Sequence, residues 1–284
     1  MTGINRTLNI GGRLVDLSTP VVMAIVNVTP DSFFAGSRHT TEEQVCGRVA
    51  EAVGEGAHWL DVGGYSSRPG AADVSPEEEY RRVAVAMRVI REHHPEAIVS
   101  VDTFRASVVE RVVHEFGAVV VNDISAGELD PEMIPTAARL KMPYLAMHMR
   151  GTPKTMQALT DYDDVTAEIV RYFSHKVDEL VRAGINDILL DPGFGFAKTV
   201  EQNFELLGRM SDLQALGRPV LAGLSRKTMV WKTLGIEPTD ALNGTTALHW
   251  ECLRQGAAIL RVHDVREAVE VVKLFTAFRQ RSAL

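Results

Sequence analysis

Arg261 and His263 stand two residues apart at the end of the apolar run Ala257-Ala258-Ile259-Leu260, with Val262 between them. In a strand, successive side chains alternate faces, so the guanidinium and the imidazole share one face and Val262 takes the other. If that face lines the mouth of a closed barrel, an unpaired guanidinium there would cost on the order of several kcal/mol, and an anion is required. The anion is either a bound ligand or a neighbouring carboxylate of the protein, with His263 packed as a core residue. Asp102, Asn122 and Asp191 form a second set, each at the end of its own apolar run. Carboxylate acceptors with an amide that both donates and accepts match a planar heterocycle carrying amino and lactam edges. Asn27, Ser67 and Arg68 join Arg261 and His263 in a third set that suits a diphosphate, with Mg²⁺ held by the Asn27 amide oxygen and phosphate oxygens. Each residue also has a structural reading. Asp102, Asp123 and Asp191 stand where a helix N-cap or Asx turn would use them, Asn27 can cap its loop, and Ser67-Arg68-Pro69-Gly70 can form a simple turn. His148, between Met147 and Met149, reads as a hydrogen-bonded core histidine, and Asp123 as an outward-facing structural residue.

The elements that position these residues repeat. Short runs rich in Val, Ile, Leu and Ala occupy 21–28, 58–62, 98–102, 118–123, 144–148, 187–191, 219–225 and 257–263, separated by segments of helical periodicity. Thr40-Thr41 signals a helix over 42–54, and Ser75-Pro76-Glu77-Glu78 signals one over 76–93. Glycines at 56, 117, 184 and 256 precede strands and mark αβ joints. Strict βα alternation implies parallel strands with right-handed crossovers, and eight units close a (β/α)8 TIM barrel. A doubly wound open sheet is the alternative, but no Gly-x-Gly-x-x-Gly loop follows the first strand. Before the barrel, alternating runs on either side of Gly11-Gly12 predict a β-hairpin, so 1–18 reads as a hairpin and 19–284 as the barrel. In such a barrel the chemistry belongs at the C-terminal strand ends, where Asn27, Asp61, Asp102, Asn122, Met147, Asp191, Lys227 and the Arg261-His263 pair fall.

The rest of the composition restricts partners. With 284 residues, 45% of them hydrophobic, the chain can bury a sizeable core. A net charge of -7 without a basic stripe argues against nucleic acid and anionic membranes. No apolar run approaches the roughly 18–20 residues needed to cross a bilayer. Cys46 and Cys252 make no metal-type spacing, and the N-terminus is not signal-like, so a cytoplasmic protein is expected.

Eight strings at successive strand ends carry a family resemblance. They are Asn27-Val28-Thr29-Pro30-Asp31-Ser32-Phe33, Ser66-Ser67-Arg68-Pro69-Gly70, Ser100-Val101-Asp102-Thr103, Val121-Asn122-Asp123-Ile124, Met147-His148-Met149, Asp191-Pro192-Gly193-Phe194-Gly195-Phe196, Ser225-Arg226-Lys227 and Arg261-Val262-His263-Asp264. In this order they resemble the dihydropteroate synthase family across nearly the whole chain. The resemblance implies a TIM-barrel homodimer that joins 4-aminobenzoate to 6-hydroxymethyl-7,8-dihydropterin diphosphate, releasing diphosphate and forming 7,8-dihydropteroate for folate. It further implies that Asp102, Asn122, Met147, Asp191, Phe196 and Lys227 bind the pterin. Asn27, Ser67, Arg68, Arg261 and His263 would hold the diphosphate, Asn27 as the Mg²⁺ ligand. Phe33, Ser67, Arg68, Pro69 and Thr228 would shape the aminobenzoate site, and Lys227, Arg261 and His263 would act in catalysis. Two departures stand out: Phe34-Ala35-Gly36-Ser37 replaces the Ser-Asp-Gly-Gly of many members, and Tyr65 replaces a Glu. Both fall on loops over the aminobenzoate, which bears on its affinity and on the response to sulfonamide analogues. Two other readings are a corrinoid-linked methyltetrahydrofolate methyltransferase, which needs no diphosphate site, and a non-catalytic pterin-binding paralogue.

Overall fold

A two-stranded antiparallel hairpin, β1 (Thr7–Ile10) and β2 (Arg13–Asp16), turns at Gly11-Gly12, where both glycines take positive φ. The computed structural model describes residues 6–29, 38–66 and 73–281, the side chains of 38–41 excepted. After the hairpin come eight parallel strands: β3 (Val21–Asn27), β4 (Trp59–Gly63), β5 (Ile98–Asp102), β6 (Val120–Asp123), β7 (Tyr144–Met147), β8 (Ile188–Asp191), β9 (Val220–Ala222) and β10 (Ala257–Val262). They pair in chain order, and β10 returns to β3, closing the barrel. The eight apolar runs are thus the eight barrel strands. The seventh is much shorter than its run: the chain leaves the sheet after Ala222, and four residues on Arg226 adopts φ +53°.

Helices α1 (Arg38–Gly54), α2 (Pro76–His93), α3 (Ala106–Phe116), α4 (Met133–Leu140), α5 (Val165–Arg182), α6 (Val200–Gly208), α7 (Thr228–Leu234), α8 (Leu242–Arg254) and α9 (Val265–Arg281) fill the connections. Two helices, α7 and α8, follow β9 where one is expected. Helix α1 starts at Arg38, about one turn before the expected start at 42, so Thr40-Thr41 lies inside it. Helix α2 starts where its sequence signal stands: the Ser75 hydroxyl accepts from the Glu78 N–H, Pro76 occupies the first turn, and Glu77, Glu78 and Glu79 face the helix-dipole positive end. The joint glycines Gly56, Gly117, Gly184 and Gly256 all take φ between +84° and +98°, the backbone region that lets a helix end turn into a strand.

Strand alternation divides the core in two. Val22, Ala24, Val26, Leu60, Val62, Val101, Val121, Leu190 and Val262 point out to the helices and are buried. Met23, Trp59, Leu145, Leu189, Leu221 and Ile259 point inward and pack with Leu8, Ile10, Val15 and Leu17 of the hairpin, which closes the barrel's N-terminal end. Each such side chain contributes about 1.5–3 kcal/mol on burial. Two residues further along several of these strands the inward positions turn polar, as Asp61 follows Trp59 and Arg261 follows Ile259. The apolar plug therefore forms the floor of a polar mouth.

Candidate active site

A cavity of about 320 Å³ opens at the C-terminal ends of the strands. Ten expected site residues line it: Asn27, Asp102, Asn122, Met147, Asp191, Phe196, Lys227, Thr228, Arg261 and His263. Phe33, Ser67, Arg68 and Pro69 lie outside the described residues, as does the altered 34–37 stretch. Tyr65, the other departure, is in the wall; its ring meets that of Phe104 edge-on at 5.2 Å, and the Arg105 guanidinium lies 5.2 Å from its centre.

Arg261 resolves the two readings left open for it. Its Nε donates to Asp61 Oδ2 at 2.6 Å and a terminal nitrogen to Asp102 Oδ2 at 2.7 Å. The counter-anions are two carboxylates of the protein, and guanidinium N–H groups remain to spare for a ligand. Burial opposes the Arg261 charge, and the carboxylates of Asp61 and Asp102 outweigh it, so its pKa rises further. The imidazole two residues on is tied to β9's loop: Ser225 Oγ lies 3.1 Å from His263 Nδ1 and accepts from the His263 backbone N–H at 3.2 Å. Arg226 is turned aside into a two-pronged pair with Asp264, at 2.8 Å on each oxygen.

Asp61 is the residue the sequence reading noted at a strand end and did not place in the site. It is fully buried and joins three partners. Besides Arg261, Ser100 Oγ donates to it at 2.5 Å and Asn122 Nδ2 approaches its two oxygens at 3.1 and 3.2 Å. Because the amide nitrogen of Asn122 is held there, its carbonyl oxygen is the end left for a ligand. Parity was the available signal, since Asp61 shares the inward face with Trp59.

Asp102 is pushed up to about 7, chiefly by burial; the Arg261 charge opposes this and the Asp61 and Glu79 charges reinforce it. Asp191 is raised by burial too, against Lys227, the Gly193 N–H and Arg261. Lys227, at the start of α7, is lowered to about 8 by burial, with Asp191 opposing and Arg261 reinforcing. Its Nζ donates to the Phe194 carbonyl at 2.5 Å and lies 4.7 Å from the centre of the Phe196 ring. The loop after β8 is shaped for this: at Gly193, φ +71°, a Cβ would stand 2.1 Å from the His148 carbonyl oxygen, so only glycine fits. His148 itself is a core residue, its ring 4.9 Å from that of Tyr172, and Asp123 faces outward to accept from Ser125, Gly127 and Tyr144, both as expected.

Among the described residues no group of three or more His, Cys, Asp or Glu could hold a metal ion. A magnesium site with one protein oxygen and the remainder from substrate and water is compatible with that donor set. The backbone leaves room for it: a Cβ at Gly63 would stand 3.3 Å from Asn27 Oδ1 and 3.8 Å from Asp102 Oδ2, so glycine keeps the space beside both oxygens clear.

A cavity with these hydrogen-bonding groups at the mouth of a parallel barrel matches one class. The family model described as pterin binding enzyme matches residues 23–263. The dihydropteroate synthase of Escherichia coli strain K12 is 42% identical over 268 residues, covering 94% of each chain. The Xanthomonas albilineans dihydropteroate synthase solved with 4-aminobenzoic acid superposes with a TM-score of 0.88 at 40% identity, over 96% of this chain and 98% of that one. The Yersinia pestis dihydropteroate synthase solved in a sulfonamide drug complex gives 0.90 at 40% identity, over 96% and 99%. This chain belongs to the pterin-binding enzymes, and within them to the dihydropteroate synthase family.

Proposed function

We propose that the cavity binds the dihydropterin ring against Asp102, Asn122, Asp191 and Lys227 and directs its diphosphate toward Asn27, Arg261 and His263. The complementarity of that wall carries the reading. The Asn122 carbonyl and the Asp191 carboxylate accept from the 2-amino and ring N–H edge, Lys227 donates to the ring's acceptors, and Met147 and Phe196 flank the ring faces. The reaction breaks the bond between the pterin methylene and the diphosphate oxygen, which leaves with the electron pair. Arg261 and His263 neutralise charge as it develops there, so catalysis is electrostatic and positional. Asn27 would hold Mg²⁺ through its side-chain oxygen, and the ion would supply further positive charge at the leaving group. The electron-rich pterin carries the resulting cationic methylene, and the aminobenzoate nitrogen, already nucleophilic, attacks it and releases its proton to water. Thr228 and the loops bearing Phe33, Ser67, Arg68 and Pro69 would seat the aminobenzoate.

Positional isotope exchange tests this order of events. Substrate labelled at the bridging oxygen and held with enzyme, Mg²⁺ and no aminobenzoate should scramble its label; recovery without scrambling would establish a concerted displacement. The diphosphate-binding residues at the pocket favour this reaction over methyl transfer. We further assign the enzyme to the cytoplasm, in keeping with two free cysteines, Cys46 and Cys252, and with the absence, among the described residues, of a helix long and apolar enough to cross a membrane. A homodimer is supported by the apolar outer side of α9. Its stripe of Val265, Val269, Val272 and Phe275 is buried in barrel packing, but Leu274 is 65% and Phe278 57% exposed. Light scattering coupled to size exclusion reads the mass; a monomer at micromolar concentration would remove this part of the reading.

A further inference from the structure

Lys198 takes no part in the reaction drawn above, yet its side chain is buried beneath the loop that follows β8. An ammonium has three hydrogens, and three acceptors lie within reach. They are the carbonyl oxygens of Gly193 and Phe196, each at 2.9 Å, and His148 Nδ1 at 3.1 Å. Gly193 is also the residue whose N–H donates to Asp191 Oδ1 at 2.8 Å, so the pose of that peptide sets the direction of the carboxylate. Phe196 carries the ring that lines the cavity. From the cavity side Lys227 takes the Phe194 carbonyl between them. The loop is therefore held by two lysines, one behind it and one in front.

We propose that Lys198 is a positioning residue for pterin recognition, its ammonium tying the Gly193 and Phe196 carbonyls so that the Asp191 carboxylate and the Phe196 ring meet the substrate in one fixed pose. The inference rests on the reading that Asp191 binds the pterin.

A lysine that merely filled space would not need its charge here, whereas this geometry does. His148 is held neutral, lowered to about 2 by burial and by the Lys198 and Arg150 charges, and an ammonium facing Nδ1 at 3.1 Å selects the tautomer whose proton is on Nε2, which makes Nδ1 an acceptor. Around Lys198, burial favours loss of the proton, Asp191 favours its retention, and Lys227 and Arg150 favour loss; together they bring it down to about 7. Deprotonation leaves two hydrogens for three acceptors and removes a cation that helps keep Asp191 ionised. Pterin affinity should then fall as pH rises through neutrality.

The test uses the intact enzyme, with 6-hydroxymethylpterin as a phosphate-free probe and both substrates in turnover. In Lys198→Met the Kd for the probe and the KM for pterin diphosphate should rise about tenfold or more, the worth of at least one hydrogen bond. The KM for aminobenzoate and kcat should stay within about threefold, since the loop supports the ring and not the leaving group. Lys198→Gln, which retains two N–H donors, should recover part of the loss, and it serves alone if the Met variant does not fold. Between about pH 6 and pH 9 the wild-type Kd, divided by that of the Met or Gln variant to cancel titration of the probe itself, should show a limb near neutrality. Unchanged probe affinity in folded variants, a flat ratio, or an equal fall in kcat and in both specificity constants would overturn the proposal. Asp191→Asn distinguishes the levels: if it keeps wild-type probe affinity, the pterin assignment fails as well, and if it loses affinity while the Lys198 variants do not, the lysine inference alone fails.

Discussion

Replacing Asp102 by Asn should stabilise the ligand-free protein at alkaline pH while weakening pterin binding. Asp102 sits beside Arg261, yet burial and the neighbouring Asp61 and Glu79 charges leave its pKa at about 7, against the ordinary aspartate value of 3.8. The sign follows from proton linkage. The folded state binds this proton more tightly than the unfolded chain, so the unfolded chain loses it first and stability falls as pH rises from about 4 to about 7. At about pH 5 the native carboxyl is mostly protonated and resembles an amide; at about pH 8 it is ionised. A folded pKa of about 7 and an unfolded value near 3.8 make the group's contribution about 2–3 kcal/mol less favourable at about pH 8 than at about pH 5. Asn, which does not titrate, escapes this decline, so its stability relative to wild type should improve by that amount across the interval. Urea midpoints at the two pH values, with unchanged m, read the difference directly. At about 2–4 °C per kcal/mol, melting temperatures should diverge by about 4–12 °C. An Asn variant whose stability difference from wild type is the same at both pH values would refute the reasoning, and would mean that Arg261 already holds Asp102 fully ionised at about pH 5.

The Arg261→Ala variant should weaken pterin diphosphate binding far more than binding of a pterin without phosphates, and it should also lose about 3–5 kcal/mol of stability, because Asp61 and Asp102 are left facing each other without their cation. Equal losses of affinity for both ligands, by calorimetry, would return Arg261 to a purely structural role. Gly193→Ala should destabilise by more than about 3 kcal/mol, combining a left-handed backbone with a Cβ 2.1 Å from the His148 oxygen; a urea midpoint shift equivalent to under about 1 kcal/mol would show that the loop can move aside. Millimolar Mg²⁺ alone should not raise the melting temperature, since the described residues offer no cluster of metal-binding side chains, but it should do so together with diphosphate. A shift with Mg²⁺ alone would reveal a preformed metal site.

The barrel was legible because its signals are local and repeated. Alternating apolar runs, glycines at the αβ joints and the Ser75-Pro76 start of α2 all depend on near neighbours, and all reappear in the structure. The second helix after β9 is marked by local signals of its own, Gly235 at φ +66° ending α7 and Pro238 following it, whereas the Arg226 bonds to Asp264 and to the Pro238 carbonyl join partners distant in sequence and were not legible. The same holds inside the site. Strand parity placed Asp102, Asn122, Asp191 and Arg261 on one wall, but parity gives a direction and no partner. That Arg261 reaches Asp61 across 200 positions of chain, and Lys198 reaches His148 across 50, follows only from barrel closure and the path of the loop after β8.

Pairing Arg261 with protein carboxylates does not weaken its proposed role in a diphosphate clamp; the energetics point the other way. A guanidinium waiting alone at the mouth would be desolvated without compensation, and one satisfied by a single rigid partner would have nothing to exchange. Here the two partners differ. Asp61 is wholly buried and fixed by Ser100 and Asn122 as well, whereas Asp102 is partly open to the cavity and titrates near neutrality. In the proposed complex, a pterin N–H would take over one Asp102 oxygen, and the guanidinium would keep Asp61 as its anchor and gain freedom on its outer edge to meet phosphate oxygens. Ring recognition and leaving-group neutralisation are then linked through one arginine. The linkage has a measurable consequence: the phosphate-free pterin and inorganic diphosphate should bind cooperatively to the wild-type enzyme, by about 1–3 kcal/mol of coupling. In Asp102→Asn, where Arg261 has no carboxylate to exchange, that coupling should vanish even if each ligand still binds at raised concentration. Calorimetric titration of each ligand in the presence and absence of the other decides it, and independent binding to the wild type would break the link.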